Sequence, residues 1–183
     1  MDNGACSYRR FLDGDESAFN DIMEQLFCKL VFFIDSYVHD IHAAEDIAID
    51  TFSDLIVHKH RYNFKVTLKT YLYMIGRSRA LDYIKHRKII NFTELKEAQN
   101  LTDDGRILEE KIIADERKRI INSAMSKLPD DMRAAVHLVY FEEMTYKETA
   151  KVMKKNIKQI DNLLYRAKKE LRNILGEEGE LLL

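Results

Sequence analysis

Over residues 43–60 the apolar positions Ala44, Ile47, Ala48, Thr51, Phe52, Leu55 and Ile56 recur at three- and four-residue spacing, which predicts an amphipathic helix with one buried face. Asp46, Asp50 and Asp54 fall on the opposite face, at i, i+4 and i+8. Such a row without interleaved lysines forgoes the ion pairing that stabilises an exposed helix and adds repulsion, so a basic surface is expected to meet it. Upstream, Phe19, Ile22, Met23, Leu26, Phe27, Leu30, Phe33, Ile34 and Tyr37 predict a core helix that starts near residues 13–16 and runs through Val38, followed by a turn at residues 39–42. Downstream, Thr67 is a candidate N-cap for a helix that sets Leu68, Tyr71, Leu72 and Ile75 on one side and loses its stripe beyond Gly76.

From residue 89 to 104 no periodicity is sustained, and a domain boundary is expected there, with Gly105 as a flexible point. A helical pattern resumes through Leu108, Ile112, Ile113, Ile120, Ile121 and Ala124 to Leu128. Pro129 with Asp130 and Asp131 signals a new helix start, and Ala134, Ala135, Leu138, Val139 and Tyr140 supply the buried side of a short helix. Two capping boxes then follow in close succession, Thr145 with Glu148 and Asn156 with Gln159. Two helix starts this close describe a helix-turn-helix, where an ordinary hairpin needs neither cap. Its second helix is expected to bury Ile157, Ile160, Leu163, Leu164, Ala167 and Leu171. The fold class is therefore all-α: two small helical domains, 1–92 and 111–183, joined by a linker at 93–110, the C-terminal one containing the helix-turn-helix.

Net charge is only -2, yet it is unevenly spread. Residues 1–57 hold twelve acids and three Lys or Arg, whereas 58–88 hold nine Lys or Arg against the single acid Asp82, and 147–172 hold nine Lys or Arg. The two basic blocks suggest two nucleic-acid surfaces. Within the first, the segment from Lys59 to Lys65 alternates cations with aromatics, which suits phosphate contact and base stacking. Within the second, Lys158, Gln159, Asp161, Asn162, Arg166 and Lys169 lie on the outer faces of the last helix, as residue types that reach base edges and phosphates. There is no apolar run of membrane-spanning length and no signal-peptide pattern, so no membrane insertion and a cytoplasmic location are expected. Cys6 and Cys28 lack metal or redox spacing, and the histidines lack a third ligand, so no metal and no cofactor are expected.

The run AAEDIAIDTFSDLIVHKHRYNF followed by TLKTYLYMIGRSRALDYIKHRK resembles the second conserved domain of bacterial RNA polymerase sigma factors of the extracytoplasmic-function type. Glu45, Asp46, Phe52, Thr67, Leu72, Ile75, Arg77, Ala80, Leu81 and Asp82 carry the match, while Tyr71, Gly76 and Ser78 depart from it. The stretch from Ser126 to Leu171 resembles the family's minus-thirty-five-reading domain through Leu128-Pro129, Arg133, Tyr146, Glu148, Ala150 and the closing Leu164, Arg166, Ala167, Lys168 and Leu171, with departures at Lys154, Lys155 and Asp161. The resemblance implies a transcription initiation factor, not an enzyme, with core RNA polymerase and promoter DNA as partners and an anti-sigma protein as a family tendency. It implies polymerase contact through Glu45, Asp46, Asp50 and Asp54. Minus-ten contact would involve Tyr62, Asn63, Phe64, Lys65, Lys69, Arg77, Arg79 and Lys85, and minus-thirty-five contact Thr145 and the outer residues of the last helix. Arg79 projects toward the apolar side of its helix, where an ion pair with Asp82 competes with DNA contact. The alternatives are a stand-alone helix-turn-helix regulator and a metal-dependent nuclease built on Glu45, Asp46 and Asp50.

Overall fold

The computed structural model describes residues 4–94 and 114–176. These form α1 (Ala5–Leu12), α2 (Ser17–Val38), α3 (Ile41–Val57), α4 (Leu68–Glu94), α5 (Ala114–Ser126), α6 (Asp130–Val136), α7 (Tyr146–Met153) and α8 (Ile157–Leu175), with no strand among the described residues. The all-α expectation and the helix-turn-helix both hold. Most of the linker expected at 93–110 lies outside the described residues, as do Leu108, Ile112 and Ile113, and α4 runs past residue 92 to Glu94.

Helix α1 has no counterpart in the sequence reading, because only Tyr8 and Phe11 of its eight residues are buried and two positions make no period. It matters nonetheless. The fully buried Tyr8 hydroxyl lies 3.1 Å from the Leu55 carbonyl and 2.8 Å from that of Lys59, so its one proton is shared between the end of α3 and the 3-10 turn Lys59–Arg61. The start of the chain is thereby tied to the loop leading into α4.

Helix α3 begins at Asp40, whose carboxylate accepts the Ala43 N–H at 3.1 Å. Thr67 caps α4 as expected, its hydroxyl accepting the Thr70 N–H at 3.1 Å. The stripe of α4 loosens toward its end, where residues 85–89 are exposed, and it is blurred before Gly76 because the helix packs on α2 and α3 and also on α7. Tyr73, on no single stripe, is therefore fully buried. Gly76 is itself pressed against α2, where an added Cβ would stand 3.0 Å from Leu30 Cδ1.

Three residues expected inside are 41–53% exposed: Ile56, Tyr140 and Ile157. Ile56 lies at the rim of the α3 face defined by Phe52 and Leu55. Tyr140 falls in a π-helical turn, His137–Phe141, whose wider winding shifts the register set by Ala134 and Leu138. Ile157 is the first residue of α8 and precedes the core contact made by Ile160.

In the C-terminal domain both capping boxes form. Between them Lys154 adopts φ 52°, the left-handed region. A side chain with a Cβ is strained there by about 1 kcal/mol. Lys154→Gly is expected to raise the stability of this domain by up to about that amount, read as a shift in the urea unfolding midpoint.

Candidate nucleic-acid interface

The acidic face of α3 survives folding only in part. Glu45, Asp46 and Asp50 are exposed. Asp54 is drawn in: its side chain is 18% exposed and lies 3.5 Å from both His58 and Arg61 and 3.9 Å from Arg79. Arg79 also approaches Asp50 at 3.7 Å, so its ion pairing is with α3, while Asp82 pairs with Lys85 at 3.5 Å. Ile49, half exposed between Asp46 and Asp50, adds an apolar side chain to this face that the charge pattern does not reveal.

The loop after α3 divides its aromatic residues. Tyr62 is 3% exposed, donates its hydroxyl proton to the Val66 carbonyl at 2.6 Å, and packs edge-on against Tyr8. It serves as a core residue and presents no face for stacking. Phe64 takes φ 58°, held by the Tyr62 ring at 4.6 Å and by the Arg9 guanidinium 5.0 Å above its own ring. Asn63 and Lys65 stay exposed, and the Asn63 side chain accepts the Lys65 N–H at 3.1 Å, fixing the turn.

The C-terminal domain packs on this region. Lys69 Nζ lies 2.6 Å from Glu142 Oε2 and donates to the Glu142 carbonyl at 2.7 Å, with side chains 14% and 4% exposed. His137 stands 3.5 Å from the other Glu142 oxygen. Burial works against the charge on Glu142, yet the adjoining His137 and Lys69 outweigh it, holding the carboxyl down at about 2. Burial, with the neighbouring Glu142 charge adding to it, pushes the Tyr73 phenol up. Thr67 and Thr70 both reach Glu148 of α7 at 3.4 Å. Arg77 donates to the Tyr37 hydroxyl at 3.1 Å and faces Asp131 at 3.9 Å. Arg133 of α6 approaches His39, the residue that ends α2, at 3.4 Å. Thus Lys69 and Arg77 are engaged by protein. Glu142 escaped the sequence reading because an acid beside Glu143 at a helix end looks solvated.

On α8 the arrangement is different. Lys158, Gln159, Asp161, Asn162, Arg166 and Lys169 are all exposed, as is Thr145 at the start of α7. Between the domains Arg9, Phe64, Lys65, Lys147 and Lys151 line an open crevice of ≈ 520 Å³, with Glu148 as its one acid.

Two family models match this chain: "Sigma-70 region 2" over residues 22–89 and "Sigma-70, region 4" over residues 118–171. Together they take in about two thirds of the sequence, in the order the folded domains follow. The chain belongs to the sigma-70 family, of the extracytoplasmic-function (ECF) type. This sigma factor is 29% identical over 147 residues to the ECF RNA polymerase sigma factor SigM of Bacillus subtilis, covering 76% of this chain and 84% of that one. It is 24% identical over 172 residues to SigW of the same organism, covering 90% and 92%. In fold it is similar to the sigma factor RpoE solved with the anti-sigma factor NepR from Bartonella quintana, with a TM-score of 0.70 at 19% identity over 87% of this chain and 97% of that one. It is also similar to CnrH solved with the cytosolic domain of CnrY, with a TM-score of 0.67 at 17% identity over 95% and 97%. No helix among the described residues of the sigma factor is long and apolar enough to cross a membrane.

Proposed function

We propose that the chain is a transcription initiation factor that binds core RNA polymerase, directs it to specific promoters and promotes strand opening, without catalysing a reaction of its own. The observation that carries this is the presence of both sigma-70 blocks in one chain, in family order. SigM and SigW, by their names, are RNA polymerase sigma factors. Because the structural neighbour RpoE was solved with an anti-sigma factor, an anti-sigma protein is a further candidate partner, and the bacterial cytoplasm is where these encounters would occur.

On this reading the exposed Glu45, Asp46 and Asp50, with Ile49 among them, meet a basic surface of the polymerase. Asn63, Phe64 and Lys65 grip the non-template strand, supported by Arg79 and Lys85 and, once the C-terminal domain has moved off α4, by Lys69 and Arg77. Capture drives melting: a base leaves the stack, and its unstacking cost is offset by an aromatic contact and by phosphate pairing. Helix α8 docks in the major groove upstream, where Asp161 favours a cytosine amino group over a phosphate.

The test is a titration of fluorescently labelled protein with bacterial core polymerase, without DNA and at moderate salt. Saturable binding at or below about 100 nM supports the proposal. No binding, with duplex DNA still bound, replaces it with the stand-alone helix-turn-helix regulator. A second expected result concerns α8: Lys158→Ala or Arg166→Ala lowers the salt slope of promoter binding by about one unit each if that side chain neutralises one phosphate. An unchanged slope assigns the residue to base readout or to no contact.

A further inference from the structure

The closed packing of the two domains conflicts with simultaneous promoter contact. Elements centred near minus ten and minus thirty-five are separated by roughly 80 Å of duplex at about 34 Å per ten base pairs. In the folded chain, however, Lys65 of the minus-ten loop and Thr145 of the helix-turn-helix line one crevice. The packing is also unevenly obstructive. It covers Lys69 and Arg77 on α4 and leaves every candidate base-reading residue of α8 exposed.

We infer that Glu142 acts as an intramolecular stand-in for a DNA phosphate, latching the minus-ten surface of α4 shut in the free protein while the minus-thirty-five surface stays open. Glu142 offers Lys69 what a backbone phosphate would: an anionic oxygen at 2.6 Å with a second acceptor, its own carbonyl, at 2.7 Å. Asp131 plays the same part toward Arg77 more weakly, at 3.9 Å and with its side chain 46% exposed. Glu148 closes the remaining edge through Thr67 and Thr70, both at the capped start of α4. A buried lysine held this way cannot exchange its carboxylate for a phosphate while the domains remain packed. Capture of a strand by Lys69 and Arg77 therefore requires the C-terminal domain to leave α4. An electrostatic latch suits that requirement, because the ions it separates are rehydrated or re-paired on opening.

The inference rests on the sigma reading for the meaning of the captured strand, but its test needs no polymerase, so the two fail separately. The full chain is prepared with Cys6→Ser and Cys28→Ser, both native thiols being exposed, and with Ala5→Cys and Lys147→Cys on the two sides of the crevice. A reducible bis-maleimide joins these two and traps the closed form. The probes are a labelled oligothymidine of about twenty nucleotides, for the minus-ten surface, and a mixed-sequence duplex for α8. Adding Glu142→Gln is expected to enlarge the radius of gyration in X-ray scattering and to tighten oligothymidine binding about tenfold. Cross-linking should abolish that gain and reduction should restore it, while duplex binding changes less than about twofold. The inference is overturned if Glu142→Gln leaves the radius of gyration unchanged, or if cross-linked and reduced forms of that variant bind oligothymidine equally. Should Glu142→Gln lose its helical dichroism, Asp131→Lys takes its place with the same readouts, since it turns the Arg77 and Lys155 contacts repulsive at a half-exposed site.

Discussion

Reversing the charge of Asp46 and Asp50 together is expected to weaken binding to core RNA polymerase by about a hundredfold or more, since charges that face an oppositely charged partner become repulsive and lose their own attraction. Both side chains are exposed, and Asp50 is 67% open to solvent, so neither is needed to hold α3 in the fold. The local cost is confined to Arg79, which approaches Asp50 at 3.7 Å and would meet a lysine there instead. Asp46→Lys alone is therefore the cleaner variant and the double reversal the stronger one. Asp54→Lys should behave differently: it places a cation among His58, Arg61 and Arg79 and is expected to lower the melting temperature before it says anything about polymerase. Duplex binding by α8 should be unchanged in the Asp46 and Asp50 variants. A double reversal that binds polymerase as tightly as the unaltered chain would remove this face from the interface.

The contrast between Asp50 and Asp54 shows what periodicity can and cannot establish. Spacing places both on one helical face, and both are there; which of them stays exposed depends on Arg61 and Arg79, brought in by a turn and by a different helix. The same division runs through the whole chain. Helices α2 and α3, the caps at Thr67, Thr145 and Asn156, and the helix-turn-helix were legible because each is specified by residues within a few positions of one another. Helix α1 was not, because what places it is long-range: Tyr8 reaches Leu55, Lys59 and Tyr62, and Arg9 reaches Phe64. Tyr62 illustrates the limit of composition: an aromatic in a basic loop has the chemistry to stack on a base, but Tyr8 and Phe64 claim its ring first.

Helix α4 concentrates the unreadable part. Its sequence carries two overlapping patterns, one for the core of its own domain through Leu68, Leu72 and Ala80 and one for the neighbouring domain through Lys69, Tyr73 and Arg77. A helix with two buried faces has a blurred stripe, and what remains is a cation-rich surface that reads as nucleic-acid-binding. In the free chain that surface meets Glu142 and Asp131. Chemistry suited to phosphate and chemistry suited to a carboxylate are the same at the level of sequence.

The difference in unfolding free energy between the unaltered protein and Glu142→Gln is expected to be about 3 to 4 kcal/mol at neutral pH, taking about 1.4 kcal/mol for each pH unit between the ordinary carboxyl value and that of the folded state. The Glu142 carboxyl lies at about 2 in the folded chain against 4.5 for an ordinary glutamate, depressed by His137 and Lys69 in spite of its burial. A depressed carboxylate stabilises the folded state fully above its unfolded value and ceases to do so as the pH falls through its folded one. The contribution should therefore be complete above pH 4.5 and fade toward pH 2. Other groups titrate over that range, Glu148 among them, its value lowered by the Thr145, Thr70 and Thr67 hydrogen bonds against the opposing effect of burial. Subtracting the Glu142→Gln curve removes the contributions the two proteins share. Urea unfolding at neutral pH, at pH 4.5 and at the lowest pH where both remain folded would give the difference directly. A difference that shrinks with acid ties the stability to the ionised Glu142; a constant one would mean that the substitution acts through packing around Tyr73 and not through the Lys69 pair.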